Sequence, residues 1–102
     1  MKMSGISIEQ MRTNAGAAEA LLKSLANANR LMILCNLVDT ERSVGDLEQL
    51  VGLSQSSLSQ HLAKLKQQGI LTNRKCGTTV YYSLKNKEAI KVLELLYSIY
   101  CS

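Results

Sequence analysis

The residues able to do chemistry in this chain are few. They are three cysteines, Cys35, Cys76 and Cys101, one histidine, His61, and a run of amides and hydroxyls at Gln55, Ser56, Ser57, Ser59 and Gln60. A thiolate is a nucleophile and a soft-metal ligand. Three scattered cysteines are too few for a secreted disulfide framework, and a reducing cytoplasm keeps ordinary thiols reduced, so any thiol chemistry here is switch-like. A zinc ion needs about four ligands held together, which three separated cysteines with an unsuitably placed histidine do not supply. There are no paired carboxylates, no Ser/His/Asp set and no glycine-rich phosphate loop, so neither an enzyme nor a cofactor is expected. The glutamine and serine run offers a different chemistry: Gln pairs bidentately with the adenine edge, and Ser bonds a base or a phosphate.

These groups are held by a helical scaffold. Ile8, Met11, Ala15, Ala18, Leu22 and Leu25 recur at spacings of three and four, which predicts a first helix, with the first few residues of the chain loose ahead of it. Asn27 is an N-cap for a second helix running to about Val38, with Leu31, Leu34, Cys35 and Val38 on one face. Residues 39–42 read as a connection. Ser43, with Asp46 three residues on, opens a short third helix that Gly52 ends, and Ser54 caps a fourth whose buried seam is Leu58, Leu62 and Leu65. Gly69 stops that helix. Two short capped helices around a glycine turn are a helix-turn-helix candidate. The period then becomes strand-like, from Ile70 to Thr72 and from Thr78 to Leu84, around a Cys76-Gly77 turn: a β-hairpin, or wing. Tyr81 and Tyr82 alternate across it, one inward and one outward. His61 leans toward the seam, where it packs or caps. A last helix from about Asn86 to Tyr100 carries two apolar stripes, Ile90, Leu93, Tyr97 with Tyr100 and Val92, Leu95, Leu96 with Ile99. One small monomer cannot cover both, so a second copy of the chain is expected on this helix.

The fold expected is therefore mainly helical with a small β-hairpin, four helices, two strands and a fifth helix, in a single winged helix-turn-helix domain over residues 1–102. At 102 residues, 46% hydrophobic and 20% charged, with no proline, the composition suits one ordinary globular domain. No apolar run approaches the ~20 residues of a membrane span and no signal-peptide centre is visible, which predicts a cytoplasmic protein without membrane contact. The net charge of +4 is unevenly placed. Residues 1–56 hold five basic and six acidic side chains, whereas residues 57–91 hold seven basic ones against Glu88 alone. An excess of six in one third of the chain suits a segment facing a polyanion. The fourth helix presents Gln55, Ser56, Ser59, Gln60 and Ala63 away from its seam, and Lys64, Arg74, Lys75, Thr78 and Thr79 suit backbone or minor-groove contacts beside it. Four tyrosines and no other aromatic residue make no stacking platform for single strands.

The runs Leu25-Ala-Asn-Ala-Asn-Arg-Leu-Met-Ile-Leu, Ser43-Val-Gly-Asp-Leu, Leu53-Ser-Gln-Ser-Ser-Leu-Ser-Gln-His-Leu and Val80-Tyr-Tyr-Ser-Leu, in this order, resemble the ArsR/SmtB winged-helix repressors. The resemblance implies a homodimer built on the first and last helices that binds an inverted-repeat operator in double-stranded DNA and is released by an inducer. It puts Gln55, Ser56, Ser59 and Gln60 on the DNA, with Ser57 beside them. Where arsenic and cadmium sensors carry two cysteines, this chain has Ser43 and Gly45, and its last helix lacks the zinc sensors' His/Asp/Glu set, so no metal site is implied. Cys35 and Cys101 in their contexts resemble instead the family's thiol-sensing branch of haemolysin regulators and sulfur sensors. There, paired thiols form a disulfide or polysulfide bridge on meeting reactive sulfur or oxidants, and DNA affinity falls. By this likeness Cys35 and Cys101 are the redox switch and Cys76 is an exposed bystander. The competing readings are a metal-responsive repressor, with stoichiometric metal shifting operator affinity, and a winged-helix interaction module, with no salt-dependent duplex binding.

Overall fold

A computed structural model describes Gly5 and residues 7–101. The loose N-terminal residues expected from the sequence lie outside the described residues, apart from Gly5. The chain runs α1 (Ile8–Leu25), α2 (Ala28–Cys35), β1 (Arg42–Ser43), α3 (Val44–Val51), α4 (Gln55–Gln67), β2 (Leu71–Cys76), β3 (Thr79–Leu84) and α5 (Lys87–Tyr100). Each helix begins where a short polar side chain meets otherwise unpaired N–H groups. Asn27 Oδ1 accepts from Asn29 and Arg30, Ser43 Oγ from Asp46, Ser54 Oγ from Ser57 and Asn86 Oδ1 from Ala89. Ser7 and Gln10 add a reciprocal capping box on α1. Gly52 and Gly69 sit at φ 74° and 76°, the left-handed conformation that closes α3 and the turn after α4.

Three boundaries differ from the sequence expectation. Helix α2 stops at Cys35 and not at Val38, because Leu37 turns back on the Leu34 carbonyl and Arg42 Nε donates to the Asn36 carbonyl at 2.7 Å, satisfying the helix end from outside. Arg42, expected to end a plain connection, and Ser43, expected to open the third helix, together form β1, so the hairpin becomes a three-stranded antiparallel sheet of order β1-β3-β2. Arg42 pairs with Tyr82 and Ser43 with Tyr81. The wing turn is Gly77-Thr78, one residue beyond Cys76-Gly77, and Gly77 takes φ 63° there.

The core gathers Leu25, Ile33, Leu34, Leu37, Leu47, Leu58, Leu62, Leu65, Ile70, Leu71, Ala89 and Leu93. All three seam residues of α4 are buried, as the spacing predicts. The inward face of α2 is Ile33 and Leu34, continued by Leu37 past the helix end, and Cys35 is exposed and not part of it. Helix α1 reaches this core only at its C-terminal end, through buried Ser24 and Leu25 and through Arg30 Nη1, which donates to the Ser24 carbonyl. The rest of its predicted stripe is helical but bare: Ile8 is 71% exposed and Leu22 56%. Helix α5 is anchored by Ala89 and Leu93 and leaves Leu95, Tyr97, Ile99 and Tyr100 in solvent. The radius of gyration is 15.5 Å, above the ~13 Å of a compact chain this long. Two helices project apolar surface that this chain does not cover itself.

Candidate nucleic-acid interface and thiol site

Helix α4 turns Leu58, Leu62 and Leu65 into the core and so turns Gln55, Ser56, Ser59, Gln60 and Ala63 outward. This separation follows from the 3.6-residue period alone. Ser54 and Ser56 hydroxyls stand 3.4 Å apart at the helix start. Ser57 is half-buried and sits to one side of the exposed row, and His61 is half-buried beside the seam. Lys64 is exposed near the C-terminal end of α4 and lines a cleft with Lys23, Arg30 and Gln68, at the far end of the helix from Gln55. Lys75, Thr78 and Thr79 are exposed at the wing.

Arg74 is in a different position from the other wing residues. Its Nε lies 3.0 Å from Glu41 Oε2 and 3.2 Å from Oε1, its Nη2 contacts Oε1, and its guanidinium stacks over Tyr81, 4.7 Å from the ring centroid. The hydrogen bonds from Arg74 hold the Glu41 carboxyl below the usual carboxylate range. Sequence reasoning missed Glu41 because it belongs to another segment, 33 positions before its partner. Tyr82, the next residue on β3, packs against the core, so the inward and outward tyrosines are Tyr82 and Tyr81 respectively.

The thiols lie elsewhere. Cys35, Cys76 and Cys101 are all free and exposed. Cys35 ends α2 at a cavity of about 430 Å³ shared with Val38, Asp39, Leu93, Glu94 and Tyr97, and so faces the middle of α5. Partial burial raises its thiol above the ordinary cysteine value, and a thiolate at Cys101 raises it further. Cys101 caps α5, its N–H donating to the Tyr97 carbonyl at 2.8 Å. Cys76, on the wing, is near enough to Arg74 to favour the charged guanidinium, after the larger effect of Glu41. Among the described residues no three His, Cys, Asp or Glu side chains converge to hold a metal, and no helix is long and apolar enough to cross a membrane.

The raised Cys35 thiol has a measurable consequence. A thiol alkylates through its thiolate, so the pH midpoint of Cys35 alkylation should lie above that of the same cysteine in the urea-unfolded chain. In Cys101→Ser the midpoint should move down, since one source of the shift is removed, yet stay above the unfolded value. Peptide mass spectrometry of iodoacetamide-treated protein across pH reads both, and a midpoint at or below the unfolded value would contradict the assigned surroundings of Cys35.

Residues 27–73, from the N-cap of α2 through α3 and α4 to the middle of β2, match the sequence profile described as bacterial regulatory protein, arsR family. Beyond that segment, the transcriptional activator HlyU of Vibrio cholerae is 45% identical over 99% of this chain and 94% of its own length. This chain belongs to the ArsR family. Further likenesses agree. The biofilm growth-associated repressor of Xylella fastidiosa is 39% identical over 92% of this chain and 82% of its own. The solved structure of reduced HlyU superposes with a TM-score of 0.90 at 46% identity, covering 93% of this chain and all of that one. A homodimeric winged helix-turn-helix DNA-binding domain from Mycobacterium bovis matches with a TM-score of 0.73 at 29% identity, over 95% of this chain and 89% of that one. This ArsR-family chain is thus a winged helix-turn-helix, DNA-binding transcriptional regulator and not an enzyme.

Proposed function

We propose that this ArsR-family regulator works as a homodimer on an inverted-repeat operator in the cytoplasm and that a bridge between Cys35 and Cys101 lowers its DNA affinity. In each half-site Gln55, Ser56, Ser59 and Gln60 read bases from the major groove, while Lys64, Lys75, Thr78 and Thr79 meet the backbone, with Ser57 and Arg74 at the margins. The observation that carries the thiol reading is the placement of two free, exposed thiols, Cys35 at the end of α2 on the cavity against α5 and Cys101 at the C-cap of α5. With peroxide, one thiol is oxidised to a sulfenic acid as water leaves, and the second displaces another water to form the S–S bond. With a hydropersulfide, sulfur passes to one cysteine as the carrier thiol leaves, and the second cysteine expels hydrogen sulfide to give the same bond. Either bridge ties the end of α2, the helix that leads into the helix-turn-helix of α3 and α4, to the end of α5, the expected dimer helix. Loop closure on this scale constrains a chain by about 4 kcal/mol in the entropic account. A coupling of about 3 kcal/mol would already change affinity a hundredfold.

The test is a titration of operator duplex with reduced protein and with protein treated with polysulfide, peroxide or zinc, alongside Cys35→Ser and Cys101→Ser. Polysulfide or peroxide should weaken binding by the wild-type chain on the order of a hundredfold and leave both variants unaffected, with a Cys35–Cys101 linked peptide in the weakened sample. Unchanged affinity in treated wild-type protein would overturn the switch, and a shift produced by zinc alone would favour metal control instead.

A further inference from the structure

Glu41 faces the DNA-binding wing although it lies outside the helix-turn-helix and hairpin in sequence. Strand β1 lays the end of the α2–α3 connection beside β3, and the two-residue alternation of the sheet puts Glu41, Tyr81 and Arg74 on one face. Glu41 therefore reaches across β3 to the β2 arginine. Its two oxygens take Nε and Nη2 together, and the Tyr81 ring holds the guanidinium plane from the side. Among the described residues this is the single ion pair within 4 Å. It falls on one of two basic residues of the wing strands, in a stretch with no acidic residue between Glu48 and Glu88. A carboxylate fork meets the same donors, with the same sign of charge, as a DNA phosphate does.

We propose that Glu41 is an affinity-setting residue for DNA, an internal stand-in for phosphate that occupies Arg74 until a backbone phosphate displaces it. The exchange replaces one charge-assisted pair by another, so Arg74 adds little net attraction in the native chain and the wing's working cation is Lys75. Both partners are solvent-exposed, so salt screens the pair and the restraint is greatest at low ionic strength. The inference rests on duplex binding by the family fold and concerns how strongly one element of it engages.

Glu41→Gln, Arg74→Ala, the double variant and Lys75→Ala should be titrated with a random-sequence duplex of about 30 base pairs, since backbone contacts do not depend on sequence. Glu41→Gln should bind about three- to tenfold more tightly at low salt, with a log–log salt slope steeper by about 0.9, one further phosphate neutralised. The gain should vanish in the Arg74→Ala background. An equal gain in both backgrounds would show a general charge effect and overturn the proposal, as would weaker binding by Glu41→Gln, which would mean that Glu41 only props the wing. If Lys75→Ala weakens binding while Glu41→Gln does not strengthen it, this inference alone fails; absence of salt-dependent binding by the native chain removes the DNA reading as well.

Discussion

A chain carrying Leu95→Glu and Ile99→Glu should remain folded, sediment as a monomer and lose operator affinity by about two orders of magnitude or more. The two residues are one helical turn apart on α5 and each is 59% exposed, so neither supports the monomer core, which α5 joins through Ala89 and Leu93. In a dimer built on α5 the new carboxylates would be desolvated where the native helix presents leucine and isoleucine. A dimer delivers its second recognition helix at high effective concentration once the first is bound, and a monomer forfeits that gain. Sedimentation velocity, circular dichroism and fluorescence anisotropy on an inverted-repeat duplex follow the three properties separately. A folded monomer that keeps native operator affinity would refute the proposed role of α5.

The second large effect is on base readout. Gln55→Ala and Gln60→Ala should each weaken binding to the specific operator by about 1–3 kcal/mol per half-site while leaving random-sequence binding nearly unchanged. Each amide is exposed on α4 and lies outside the core, so truncation removes a contact to DNA without opening a cavity. Lys75→Ala should behave oppositely, weakening all duplexes alike and reducing the salt slope by about one. Competition titrations at several salt concentrations distinguish the two patterns, and uniform loss across sequences for the glutamine variants would remove them from base readout.

Much of this follows from short-range rules. Asn27, Ser43, Ser54 and Asn86 mark helix starts because an N-cap side chain reaches only two or three residues ahead. Leu58, Leu62 and Leu65 fix which side of α4 is buried, and hence which residues stay exposed, through a period that any helix obeys. The excess of positive charge after residue 57 and the apolar excess of α5 are likewise written in the order of residue types. Strand β1 is not legible in that way. Two residues carry no period, and Arg42 and Ser43 become a strand only because β3 offers an open edge beside them.

The amino-acid sequence by itself thus determined the helices, the wing, the outward face of the recognition helix and the need for a partner surface, since each depends on neighbours within a turn or two. The tertiary structure alone decided three matters. It put Cys35, predicted on the same face of α2 as Leu31, Leu34 and Val38, on an exposed cavity rim opposite the middle of α5. It stopped α2 early through an arginine from the following segment. It also brought Glu41 to Arg74 across a strand, giving a carboxylate to a wing whose own sequence has none. Each is a contact between residues distant along the chain, and such contacts are set by how the elements pack, which local propensity does not encode.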